Sequence, residues 1–183
     1  MPSVPESSVL LSDQINGLPV QTLNPSVVFS NAAEIHQAVG RELCITDWLT
    51  IDQPRIDTFA RATGDFQWIH VDPARAAGSP YGGTIAHGFL TLSLLGQWYE
   101  DYLTQAMPFC DMGLNYGLNK VRFTQPVRVD SRVRARMALT QVQDIEGGLQ
   151  LVFVVTIEIE GSTKPACIAE SIVRRYLANR PST

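Results

Sequence analysis

An aspartate and a histidine five positions apart, Asp65 and His70 in GDFQWIH, follow a helix-stopping Gly64. A loop at that point can fold an acidic and a basic side chain towards one place, where a carboxylate beside an imidazole is a reasonable base and the two can hold one water. Eighteen positions after His70 comes Gly88, at the head of the apolar run GFLTLSLLGQWYEDYL. The first N–H groups of a helix lack internal partners and carry partial positive charge, so they suit an anion or a polarised carbonyl oxygen. Residues 62–95 therefore offer an acid/base pair and an oxyanion site.

These residues need elements to position them. The run opened by Gly88 is apolar on nearly every face and is expected to be a buried core helix. Upstream, residues 41–49 alternate as a strand, and Thr50 or Asp52 caps a helix carrying Ile56, Phe59 and Ala60 on one face, which ends at Gly64 and delivers Asp65. Asp72-Pro73 starts a short turn or helix, and residues 78–83, GSPYGG, form a loop before the core helix. That loop fits neither a Walker pattern nor a dinucleotide fingerprint. Further upstream, Asn31 and Glu34 make an N-terminal cap, and the short helix they open stops at Gly40. His36 on this helix has no evident partner and is expected to face solvent.

Downstream, residues 108–117 read as a turn-rich connection, followed by a strand over 118–123 that Pro126 breaks. Val133, Ala135, Met137 and Leu139 alternate with Arg132, Arg134, Arg136 and Thr140, the pattern of a half-buried strand. Gly147-Gly148 supplies a hairpin turn, residues 149–159 alternate again, and a third strand returns over 166–177. The fold class is thus α+β, with one antiparallel sheet and one buried helix satisfying each other's burial.

The chain of 183 residues fits a single domain over 26–183 behind an N-terminal extension of residues 1–25, which is rich in Ser and Pro. A net charge of −4 and 17% charged residues give no basic face for nucleic acid. Cys44, Cys110 and Cys167 are odd in number and far apart, which argues against a disulfide framework and against a zinc site and favours the cytoplasm. No secretory signal or membrane-spanning run is read. A metal on His70, His87 and Asp72 is not expected, because no standard ligand spacing supports it.

The combination of GD-x-x-x-x-H with IAHG resembles the MaoC-like, R-specific enoyl-CoA hydratases, whose usual loop reads D-x-N-P-x-H; the wording SPYGGTIAHGFLTLSLL looks most like the nodulation-protein-N-like branch. The likeness covers roughly residues 41–176. It implies a hot-dog fold, in which the sheet wraps the helix and pairs with a second subunit, and reversible hydration of a trans-2-enoyl thioester to the R-3-hydroxyacyl product. Asp65 and His70 are then expected to act together on one water, and the Gly88 N–H to hold the thioester oxygen. Gln67, Trp68, Tyr81 and His87 are expected beside the substrate, His87 chiefly by packing or capping. Gln67 and Trp68 stand where the family has Asn and Pro, which puts substrate size in question and leaves the chemistry intact. No cofactor is expected beyond the coenzyme A or acyl carrier protein that bears the acyl group. A homodimer is expected, with no nucleic acid and no membrane. Lys120, Arg122 and Arg128 could meet coenzyme A phosphates, and a solvated strand face accounts for them equally well. The rival readings are a hot-dog thioesterase and a non-catalytic acyl-thioester binding subunit.

Overall fold

The computed structural model describes residues 27–178, so the extension expected over 1–25 lies outside the described residues. The first helix, α1 (Ala32–Gln37), is capped as its sequence indicates: the Asn31 side chain accepts the Glu34 N–H at 3.1 Å, and the Glu34 carboxylate reaches back to the Ser30 N–H at 2.8 Å. His36 is exposed, yet it is not alone. Its Nε2 lies 3.2 Å from an Asp144 carboxylate oxygen, 108 positions away in the chain, a contact that no local pattern could signal.

The strand expected over 41–49 is two strands, β1 (Glu42–Ile45) and β2 (Leu49–Ile51). Between them the Thr46 hydroxyl oxygen accepts the Ala135 N–H at 2.9 Å, so a side chain takes a place in the ladder and the strand breaks. Thr50 therefore lies inside β2, and Asp52 caps α2 (Gln53–Thr63) by accepting the Arg55 N–H at 3.0 Å. Gly64 ends α2 at φ 77°, a left-handed turn that glycine enters without strain. Two single-turn helices follow, α3 (Trp68–Val71) and α4 (Pro73–Ala77).

The central helix, α5 (Gly88–Ala106), buries Leu90, Leu94, Leu95, Trp98, Tyr99, Tyr102 and Leu103. It is not buried all round, as its composition suggested. Phe89 is 70% exposed, and Ser93, Gln97 and Glu100 continue an open stripe at helical spacing, because the sheet covers only one side.

That sheet is antiparallel, with β3 (Cys110–Phe123), β4 (Ser131–Ile145), β5 (Gly148–Ile159) and β6 (Cys167–Leu177) in the order β1-β4-β5-β6-β3, and β2 also on β4. On β4 the alternation holds: Val133, Ala135, Met137 and Leu139 are buried, while Arg132 and Arg134 pair across the outer face with Glu160 at 2.8 Å and Glu158 at 2.7 Å. The turn-rich connection expected over 108–117 is instead mostly strand. β3 pairs with β6 from Cys110 opposite Leu177 to Phe123 opposite Cys167, with three register shifts. Its glycines and polar residues read as loop, and the pairing with β6 overrides that preference. A side chain at Gly148 would run into the Arg175 backbone carbonyl, so glycine is required there by contact, whereas at Gly113 it would only push aside the end of the Arg175 side chain. The three cysteines are buried free thiols.

Candidate active site

Asp65 leaves the left-handed Gly64 half-buried, and one carboxylate oxygen accepts the Gln67 N–H at 3.3 Å. This bend starts α3, whose single turn carries His70 inward until it is 6% exposed. His70 Nδ1 lies 2.7 Å from the Ile85 carbonyl oxygen. A carbonyl can only accept, so Nδ1 carries the proton, and the neutral ring keeps its lone pair on Nε2. The Ile85 carbonyl is itself fixed, because residues 84–86 are held on two sides: the Ile85 N–H donates to Ile69 O at 3.0 Å, and the Ala86 N–H to Val127 O at 2.7 Å. Gln53 adds a cross-link, donating to the His70 carbonyl at 2.8 Å and accepting the Thr84 hydroxyl at 2.6 Å.

Burial is the main force holding the His70 pKa below its ordinary 6.5; the Ile85 hydrogen bond opposes it, His87 adds to the lowering, and Asp65 counters it. His70 is consequently a neutral base at neutral pH. The unfolded chain takes up this proton near pH 6.5, before the folded chain does. Acidification through that value therefore favours unfolding, and the contribution of this group to stability is complete above it.

His87 occupies the N-cap of α5 without making a side-chain cap. Its ring stacks on His70 with centroids 3.8 Å apart and planes 24° apart, and Nε2 lies 2.9 Å from the Asp65 carbonyl oxygen. One donor atom from each of Asp65, His70 and His87 lies within 4.8 Å of the other two. Were a cation to bind at this site, these three would have to supply it. Near-parallel rings, however, send their in-plane lone pairs side by side and not to one point. Asp72, weighed as a ligand from the sequence, instead caps α4 through the Arg75 N–H at 3.0 Å.

His70 and Gly88 open on one cleft of about 310 Å³, whose walls include Ile85, Thr91, Phe123, Pro126, Val127 and Ala166. A β-carbon at Gly88 would stand 3.1 Å from the Phe123 ring, so the ring lies flat against the helix start only because residue 88 is glycine. The structure thus brings Asp65, His70, His87 and Gly88 together. Gln67, Trp68 and Tyr81 do not line this cleft: Gln67 is exposed and touches Asp65 through its backbone, Trp68 lies under the Arg75 guanidinium at 4.3 Å, and Tyr81 sits exposed on the 79–82 turn. Lys120 and Arg122 are exposed on β3, whereas Arg128 is engaged with the Gly82 carbonyl at 3.0 Å. Gln53, Phe123 and the Ile85 carbonyl escaped the sequence reading. Nothing local marks them, since each acts on residues distant in the chain.

A sheet wrapped on one helix, with a neutral imidazole and a helix start on a single cleft and a carboxylate beside the imidazole, defines a hot-dog protein equipped for general acid/base chemistry. Within that class the chain belongs to the MaoC-like domain family, whose model matches residues 34–161. It is similar to 3-hydroxyacyl-thioester dehydratase Z of Mycobacterium tuberculosis (strain ATCC 25618 / H37Rv), at 51% identity over 82% of this chain and 98% of that protein. It is also 49% identical to nodulation protein N of Rhizobium leguminosarum bv. viciae, over 76% of this chain and 88% of that one. Among solved structures, the (R)-hydratase from A. caviae involved in PHA biosynthesis superposes with a TM-score of 0.61 at 24% identity, covering 74% of this chain and 94% of that one.

Proposed function

We propose that the chain adds water reversibly across the double bond of trans-2-enoyl thioesters, giving (R)-3-hydroxyacyl thioesters. The observation that carries this reading is that His70, whose lone pair is left on Nε2, and Gly88, which opens α5, line one cleft, with Asp65 beside His70. His70 Nε2 accepts a proton from a water that Asp65 orients, and the resulting hydroxide bonds to C3. The C2–C3 π electrons move towards the thioester oxygen, where the Gly88 N–H stabilises the charge, and the proton is returned to C2 as the enolate collapses. Water is added whole and no electrons are transferred, so the step calls for no cofactor. The 51% identity to a 3-hydroxyacyl-thioester dehydratase supports the reaction class, and the R configuration follows the family.

The test is the loss of enoyl absorbance from crotonyl-CoA. Activity should hold from neutral pH down to an acidic limb below pH 6.5, as the lowered His70 pKa requires. Thiol release without hydration would make the protein a thioesterase, and binding without turnover would make it an acyl-thioester binding subunit. A limb above 6.5 would remove His70 as the base.

Assembly belongs to the same proposal. Among the described residues the β3 edge has no strand partner, and Met112, Leu114, Tyr116 and Leu118 along it are exposed, as is Phe89 on α5. Open apolar edges invite pairing. A homodimer through this edge is therefore expected, with the acyl chain carried by coenzyme A or acyl carrier protein entering near the interface. Light scattering at micromolar concentration should give twice the chain mass, and a fully active monomer would overturn the assignment. The buried free cysteines support a cytoplasmic setting.

A further inference from the structure

We infer that His87 is the positioning residue of this site: its Nε2–H holds the main chain at Asp65 and so keeps the carboxylate in register with His70 and the α5 start. The inference rests on the catalytic reading of Asp65 and His70.

His87 is 3% exposed, and its Nε2 lies 2.9 Å from the Asp65 carbonyl oxygen. Since that oxygen can only accept, Nε2 carries the proton and Nδ1 carries the lone pair. Among the described residues Nδ1 is buried with no hydrogen-bond partner. An unmatched buried acceptor is destabilising. A phenyl ring would stack on His70 and against Phe59, 5.1 Å away, without incurring that cost. What the imidazole adds over a phenyl is the single bond to Asp65.

That bond matters because little else restrains the loop. Gly64 has open space around its α-carbon, Phe66 is exposed, and two further hydrogen bonds at Asp65 are long: 3.4 Å from its N–H to the Thr63 hydroxyl and 3.3 Å from the Gln67 N–H to its carboxylate. His87 meanwhile stacks on the base and precedes Gly88 in the chain. One side chain thereby fixes three parts of the site relative to one another.

Three variants test this by steady-state hydration of crotonyl-CoA, with folding followed by circular dichroism and thermal melting. His87→Gln places its amide nitrogen where the imidazole Nε2 stands. His87→Asn stops short at the Nδ1 position, and His87→Phe keeps the stack and removes the donor. A shift of about 1 Å in a reacting group costs roughly 10²-fold, so the Asn and Phe variants should lose about that factor in kcat with KM little changed, while Gln stays within about threefold of the parent. A folded Asn or Phe variant with parental kcat would overturn the inference, as would a folded Gln variant as impaired as Asn. If Asn and Phe fail to fold, the Gln variant decides alone: parental turnover supports the donor role, and its loss in a folded protein overturns it. Asp65→Asn is measured alongside. Retained activity there defeats the catalytic reading itself, whereas a dead Asp65→Asn with active His87→Asn and His87→Phe defeats only the positioning role.

Discussion

Asp65→Asn and His70→Asn should each lower hydration by roughly 10² or more, the scale of a positioned acid or base. Both replacements spare the surroundings. Asn at 65 keeps an oxygen to accept the Gln67 N–H, and Asn at 70 places an amide nitrogen where Nδ1 meets the Ile85 carbonyl, while the lone pair at Nε2 disappears. Groups that act on one water fail together, because after the first loss the water is already misplaced. The double variant should therefore be little worse than the poorer single one. Multiplying losses would show two independent contributions and end the shared-water mechanism. Activity retained in all three folded proteins would move the site elsewhere.

Gly88→Val should reduce turnover by about 10²–10³, the effect of losing an oxyanion donor, even where the protein folds. A side chain there could crowd the thioester oxygen directly, but it meets Phe123 first, at 3.1 Å. That ring is 45% exposed and stands edge-on to Phe89 at 5.8 Å, so it is free to be driven into the cleft that His70 and Gly88 line. Gly88→Ala should lose less, and Gly88→Ala combined with Phe123→Ala should recover part of the loss. Near-parental turnover by folded Gly88→Val would place the oxyanion site away from the α5 start.

Much of this was legible because it is written locally. The Asn31–Glu34 cap, the Gly64 stop that delivers Asp65, and the alternation through Val133 and Leu139 all depend on neighbours within one turn or one strand. The remainder depends on distant partners. Residues 110–117 carry loop-like glycines and become strand because β6 pairs with them. The apolar run after Gly88 suggested burial on every face, and Ser93, Gln97 and Glu100 were the signal that one stripe stays open. The cleft wall joins Ile85, Phe123 and Ala166, and the acceptor that sets the His70 tautomer is a backbone carbonyl, which no side-chain pattern identifies.

The three register shifts in β3, after Cys110, Asn115 and Leu118, bear on aggregation. A long flat edge can pair with a copy in many registers and grow without limit, whereas each bulge interrupts the hydrogen-bond ladder and increases the local twist. Segments as short as those between the shifts leave a copy few registers in which to pair. The irregularities that break up the strand thereby guard this exposed edge against fibrous assembly.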